Sequence, residues 1–222
     1  MTALFSASEP VLLVGGGEIS REAFEIARPQ TGPIVAADGG AEVCAALGLT
    51  PDAIIGDLDS LSDPDAWRAR GVAVHHIPEQ VSTDFEKCVT HIDAPLILAL
   101  GFTGARVDHT LAVMNTVARL GPRPLIVVGS QDVIWAMSAE TRLALDAGEV
   151  VSLFPMRGVR DLHSVGLKWP IDGLDFAPMG FSGTSNESLG GTVEITLDRT
   201  GMLGMLPLTA LPALIALLEE RS

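Results

Sequence analysis

Apolar residues in the first part of the chain come in short unbroken runs, each giving way to glycine or an acid. Val11 to Val14 leads into Gly15-Gly16-Gly17, Ile34 to Ala37 into Asp38-Gly39-Gly40, and Ala53 to Ile55 into Gly56-Asp57-Leu58-Asp59-Ser60. Val72 to Ile77 precedes the Ser82-Thr83-Asp84 turn, Leu96 to Leu100 reaches Gly101, and Leu125 to Val128 closes the series. Between these runs the patterning predicts helices over 21–27, 41–47, 84–91 and 109–120. Continuous apolar strands separated by helices imply a parallel sheet covered on both faces.

From about Val133 the rhythm changes. Stretches 141–145, 150–154, 159–162, 180–182 and 192–197 read as short strands divided by Gly and Pro turns, without helices between them. Over 208–221 the apolar positions Leu211, Leu214, Ile215 and Leu218 share one helical face, which predicts a C-terminal helix. The expected fold is therefore an α/β parallel-sheet (Rossmann-like) domain over 1–131, followed by a small antiparallel all-β sandwich domain over 132–222.

Charge narrows the partners. With 28 acidic and 14 basic residues the net charge is −14, which argues against a nucleic-acid surface. It suits a cationic substrate, or an anionic one delivered with Mg²⁺. Cys44 and Cys88 show no zinc spacing and read as two buried thiols in a reducing compartment. Neither a secretory pattern nor an apolar run of membrane-spanning length is present in the sequence, so a cytoplasmic enzyme is expected.

In open parallel sheets, ligands bind beyond the carboxyl ends of the strands. Asp38, Asp57, the Thr83 turn and the loop from Gly101 to Asp108 all follow strands, so they converge on that edge. Asp57 and Asp59, two apart after a glycine, suit Mg²⁺, which takes one or two carboxylates together with substrate phosphates. Thr83 and Glu86 form a capping box with Asp84 at the first helical position, and the exposed helix start also offers N–H groups to phosphate. Lys87, one turn along, either adds charge to the same face or is merely solvated, and the solvated reading is the one favoured. Arg106 suits bidentate phosphate contact, and Asp108 is placed as the N-cap of the next helix. His109 reads as structural. The Gly15 to Gly17 run misses a dinucleotide fingerprint because Ser20 occupies its last position.

With these residues in place, the chain resembles the thiamine pyrophosphokinase family. The matching pieces, in family order, are Ala37-Asp38-Gly39-Gly40, Ile55-Gly56-Asp57-Leu58-Asp59-Ser60, Ser82-Thr83-Asp84-Phe85-Glu86-Lys87 and Gly104-Ala105-Arg106-Val107-Asp108-His109. Gly166-Leu167-Lys168-Trp169-Pro170 and Thr184-Ser185-Asn186-Glu187 follow in the second half. The resemblance implies transfer of the pyrophosphoryl group of ATP to the hydroxyethyl oxygen of thiamine. It assigns Asp57, Asp59 and Asp84 to Mg²⁺ and the triphosphate, and Arg106 and Asp108 to phosphate and metal-bound water. Asp38, Gly39, Gln80, Thr83 and Arg106 fall among its substrate-binding positions, and Ser185 and Asn186 would face the aminopyrimidine. It further implies a homodimer with thiamine lodged between the catalytic domain of one subunit and the β-domain of the other. The sequence departs from the family pattern at Val81, where an Asp is usual, and at Leu58, Ala105 and Leu189. Two other readings use the same residues: a Mg²⁺-dependent nucleotide pyrophosphatase, and a non-catalytic thiamine or nucleotide sensor.

Overall fold

The computed structural model describes residues 2–104 and 106–219. Two compact units divide the chain, unit 1 being Met1–Val113 with Ile126–Ser130 and unit 2 being Met114–Leu125 with Gln131–Ser222.

Unit 1 alternates strands and helices: β1 (Phe5–Ser6), β2 (Val11–Val14), α1 (Arg21–Ala27), β3 (Ile34–Ala37), α2 (Gly40–Ala46), β4 (Ala53–Gly56), α3 (Pro64–Ala69), β5 (Ala73–His76), α4 (Asp84–His91), β6 (Ile92–Asp93) and β7 (Ile97–Leu100). Helix α5 (Val107–Leu120) and strand β8 (Leu125–Val128) complete the alternation and are shared with unit 2. Strands β2, β3, β4 and β7 are buried along their whole length. Every pairing among β7, β2, β3, β4 and β5 is parallel. The strand order β7-β2-β3-β4-β5 reverses direction beside β2, the kind of switch point where α/β sheets open a crevice.

Helix starts follow local chemistry. The Ser20 hydroxyl accepts from the Ala23 N–H to cap α1, and the Thr83 hydroxyl accepts from the Glu86 N–H to cap α4. Helix α3 was not expected from the patterning. Its signal is Asp63, whose carboxylate caps two N–H groups, followed by Pro64 at the first position.

Unit 2 contains β9 (Asp132–Ala136), β10 (Glu140–Leu145), β11 (Val150–Pro155), β12 (His163–Val165), β13 (Gly183–Glu187), β14 (Gly191–Thr196) and β15 (Met202–Pro207), with α6 (Leu211–Glu219) at the end. All their pairings are antiparallel: β10 and β12 flank β14, while β13, β11, β15 and β9 pair in that order. Strand β10 alternates exposed and buried positions in strict register, as a half-buried strand should.

Some expectations change. The parallel description holds for the strands of unit 1, but the ten-stranded sheet as a whole is mixed. Its antiparallel pairings are those of β15 with β9 and β11 and of β11 with β13. Residues 159–162 and 180–182 do not form strands; Val159 makes only an isolated bridge to Phe176. The Thr184-Ser185-Asn186 stretch, which lies outside the strands expected above, is part of strand β13. The unanticipated β9 and β15 are predominantly buried and so lack the alternation that marks β10. The expected helix over 208–221 is α6 preceded by a short 3₁₀ turn, and its last residues lie outside those described. Cys44 and Cys88 are buried and free, as expected, and burial pushes the Cys44 thiol up to about 12. Among the described residues no helix is long and apolar enough to cross a membrane.

Gly40 ties α2 to the end of β2, because a Cβ there would lie 2.1 Å from the Val14 carbonyl oxygen. Both atoms belong to backbone that cannot move aside cheaply. Gly40→Ala is therefore expected to destabilise the protein by roughly 2–3 kcal/mol, the scale of overpacking in a dense core. Chemical denaturation checks this, with a shifted midpoint and unchanged slope as the expected result.

Candidate functional site

Strands β3 and β4 deliver acids side by side at their carboxyl ends. Asp38 follows β3 in the left-handed region, at φ 44°, a conformation that aspartate tolerates better than most residues. Gly56 ends β4, and a Cβ there would lie 2.7 Å from the Cβ of Asp38. Glycine at this point lets the two strand ends carry their acids into one place. Leu58 adopts φ 64° within the following turn; for a bulky residue this is a strained conformation of the sort that clusters at functional sites.

The carboxylates of Asp38, Asp57 and Asp59 each offer an oxygen within 4.8 Å of the others. Asp38 is 3% exposed. Its Oδ2 accepts from the Ser60 N–H at 3.1 Å, while its Oδ1 is buried without a partner. Burial pushes the Asp38 carboxyl above its usual range, against the Ser60 hydrogen bond, and the charges of Asp84 and Asp57 add to the rise. An orphaned buried carboxylate oxygen is costly unless something positive meets it. Three carboxylates with all-oxygen donors fit a hard divalent cation such as Mg²⁺.

One ammonium lies against this cluster. Lys87, 2% exposed, donates to Asp57 Oδ2 at 2.9 Å and to Asp84 Oδ1 at 3.2 Å. The expectation that Lys87 is solvated is therefore corrected. Its place on α4 puts it one turn from Asp84 and facing the end of β4, where burial against two carboxylates outweighs exposure. Burial alone would lower its pKa; the hydrogen bonds from Lys87 to Asp57 and Asp84 reverse this and raise it. Asp57 behaves in mirror image. Burial would raise it, but the hydrogen bond from Lys87, with those from the Asp59 N–H and Gln80, holds it below the usual carboxylate range.

Gln80 donates from Nε2 to Asp57 Oδ2 at 2.9 Å. Its loop is shaped by Glu79, whose carboxylate accepts from the N–H groups of Val81 and Ser82 and from the Ser82 hydroxyl. Val81 is fully exposed in this turn. Thr83 stands just before α4, with Asp84 in the first turn. Gly39 precedes α2, where a Cβ would press to 3.3 Å on Ser60.

Arg106 and Asp108 form a pair of their own. The guanidinium meets the carboxylate through Nη2 at 2.7 Å and Nε at 3.3 Å, with both side chains exposed. The hydrogen bond from Arg106 holds Asp108 below its usual range. Helix α5 begins at Val107, so Asp108 lies in its first turn instead of at the N-cap. A carboxylate there still favours the positive end of the helix.

In unit 2, Ser185 is exposed in strand β13 at φ 60°, and its N–H donates to the Ser152 hydroxyl at 3.0 Å. Asn186 is turned inward, 6% exposed. Its Oδ1 accepts from the N–H groups of Trp169 and Glu187, and its Nδ2 donates to the Trp169 carbonyl at 2.6 Å. Asn186 thereby fixes the half-exposed Trp169, over whose ring the Lys168 ammonium sits at 4.6 Å. One Nδ2 hydrogen of Asn186 is left to offer elsewhere.

Within unit 1 these features define a protein of the parallel α/β class with a cluster of carboxylates at its strand ends. Residues 29–127 match the model of the thiamin pyrophosphokinase catalytic domain, and residues 140–209 match that of the thiamin pyrophosphokinase vitamin B1 binding domain. The chain belongs to the thiamin pyrophosphokinase family. Solved structures share its fold. Yeast thiamin pyrophosphokinase superposes with a TM-score of 0.75 at 20% identity, over 95% of this chain and 94% of that one. The Candida albicans enzyme gives 0.74 at 16% identity, over 91% and 93%. The Geobacillus thermodenitrificans protein gives 0.71 at 23%, over 89% and 96%. No curated protein matches the chain by sequence.

Two predictions follow from the charges. Asp57 has a lowered carboxyl, so its contribution to stability is complete above about pH 4 and is lost as pH falls through its folded value. Lys87 has a raised ammonium, so its contribution is complete below about pH 10.4 and is lost as pH rises through its folded value. Lys87→Met should thus cost about 3 kcal/mol between these limits, with the deficit shrinking at both extremes; unfolding curves from pH 3 to 11 measure it. Asp38 has the opposite sign to Asp57, since its raised carboxyl makes the ionised form a burden that protonation relieves. Asp38→Asn is expected to raise Tm by about 3 °C at neutral pH. The gain should shrink as pH falls through the raised folded value and be gone below about pH 3, where folded and unfolded wild type are both protonated, and calorimetry across that range reads it.

Proposed function

We propose that this chain transfers the pyrophosphoryl group of ATP to the hydroxyethyl oxygen of thiamine, giving thiamine diphosphate and AMP. The observation that carries this reading is the carboxylate cluster at the strand ends, in a chain whose halves match the catalytic and vitamin B1 binding domains of one family. In the reaction an O–P bond forms between the thiamine hydroxyl oxygen and the β-phosphorus of ATP. The bond from that phosphorus to the oxygen bridging the α-phosphate breaks, AMP leaves with that oxygen, and the hydroxyl proton passes to water.

Mg²⁺ is the expected ion. When bound it neutralises phosphate charge and makes the phosphorus more electrophilic. Asp57 and Asp59 are its proposed ligands together with Asp84, and the buried free oxygen of Asp38 adds a fourth carboxylate to the same end of the sheet. Lys87 holds Asp57 and Asp84 in place. The first turn of α4, after Thr83, presents N–H groups to phosphate. Arg106 exchanges its exposed Asp108 partner for a phosphate, to which the same two-pronged guanidinium geometry applies. Gly39 leaves room beside Ser60, and Gln80 orients Asp57. Such chemistry is chiefly positioning and charge neutralisation, and an acidic cleft suits the thiazolium cation.

The domain assignment belongs to the same proposal: a Rossmann-like ATP-binding domain over 1–131 and a β-sandwich over 132–222 that binds thiamine through Ser185 and Asn186. So does a homodimer, in which each β-domain completes the partner subunit's site. Half or more of the surface of Trp169, Met179, Phe181 and Leu189 is exposed in unit 2, which supports that assembly. A cytoplasmic location is supported by two free, buried thiols.

Incubation with Mg²⁺ and ATP, with and without thiamine, tests the reading by chromatography of AMP, ADP and thiamine diphosphate. AMP and thiamine diphosphate are expected in equal amounts, and only when thiamine is present. Asp57→Asn should reduce turnover by about 100-fold or more. AMP released without thiamine would instead identify a pyrophosphatase, and undiminished turnover in Asp57→Asn would remove that carboxylate from the reaction.

A further inference from the structure

We infer that Lys87 and Gln80 make Asp57 a one-oxygen ligand and so bias the carboxylate site toward Mg²⁺ and against Ca²⁺. The inference rests on the proposed function in one respect, that these carboxylates ligate the cation.

Both donors converge on one atom. The Lys87 ammonium and the Gln80 amide each lie 2.9 Å from Asp57 Oδ2. A carboxylate oxygen has about two lone-pair directions, so two donors fill it. Oδ1 receives only the Asp59 N–H, at a long 3.3 Å, and stays open to a cation. Water does not compete easily for the filled oxygen, because the Asp57 side chain is 10% exposed and that of Lys87 is 2% exposed. Lys87 is in turn anchored on Asp84. Asp38 is loaded only in part, since its Oδ2 accepts one donor, the Ser60 N–H, and its Oδ1 is free.

Cation size turns this into selectivity. Mg²⁺ is small, demands near-octahedral geometry and binds through few carboxylates, each giving one oxygen. Ca²⁺ takes more oxygens and often both oxygens of one carboxylate. A site in which Asp57 can give only one oxygen withholds an extra ligand that Ca²⁺ needs. The Ser60 hydroxyl on Asp59 is a weaker constraint, since that pair is exposed and neutral on the donor side. Lys87 is thus a positioning residue that sets cation preference without touching substrate.

Calorimetric titration of the free protein with MgCl₂ and, separately, CaCl₂ tests this without nucleotide or thiamine. Wild type should favour Mg²⁺. Lys87→Met should shift the ratio of the two dissociation constants toward Ca²⁺ by about tenfold, the low end of what partners of metal ligands contribute. Gln80→Leu changes an exposed side chain and so keeps the fold; it should move the ratio the same way by about fivefold. A purely electrostatic role for Lys87 would raise affinity for both ions equally, and an unchanged ratio in Gln80→Leu would overturn the inference even if Lys87→Met failed to fold. Wild type that binds neither ion would overturn it as well. The separate assay for thiamine diphosphate then shows whether the proposed reaction falls with it.

Discussion

Carboxylates repel, and here several are held at one end of a sheet whose neighbouring strands are buried, where water screens them poorly. Asp38 is nearly inaccessible and has an oxygen without a partner. The Lys87 ammonium makes the arrangement tolerable, as it sits between Asp57 and Asp84 and is itself removed from solvent. A buried ion pair of this kind adds little net stability compared with apolar packing, yet leaving either partner alone would be expensive. Its value lies in direction: it holds Asp57 in one orientation beside Asp38 and Asp59. The remaining negative charge is cost carried for function.

Backbone packing sets the distances on which that electrostatic arrangement depends. Gly56 lets the end of β4 approach Asp38, and Gly40 lets α2 start immediately beyond β2. Gly15 and Gly101 meet in the same fashion where the strand order reverses, since a Cβ on either would collide with the other's carbonyl. These contacts are with backbone atoms or, at Gly56, with the Cβ of Asp38, so no change of rotamer can relieve them. The acids are therefore positioned by the sheet, while Gln80 and Arg106 lie on exposed stretches outside it.

The turn over 79–82 shows how this chain handles a departure from its family. Where the resemblance to the family leads one to expect an Asp it has Val81, which is fully exposed. Glu79 does the local work by accepting from two backbone N–H groups, and the turn it shapes sends Gln80 to Asp57. The acid cluster is thus smaller on this side, with the buried Asp38 on the other.

Several features were legible along the chain because they depend on neighbours in sequence. Unbroken apolar runs marked β2, β3, β4, β7 and β8, since strands buried on both faces have no polar positions to alternate. Asp57, Asp59 and Thr83 announced themselves at strand and helix ends, as did the Ser82 to Lys87 motif. The strands β9 and β15 escaped because an apolar run outside the helix–strand alternation carries no mark of its partner. Asn186 could be named as a site residue, but its inward turn onto Trp169 could not be read. Lys87 is the clearest case. Its sequence surroundings describe a polar residue on an amphipathic helix, and only the register of α4 against the end of β4 decides that its charge is buried. Whether an ionised side chain is solvated or paired depends on what the rest of the chain places opposite it, and that is a property of tertiary structure alone.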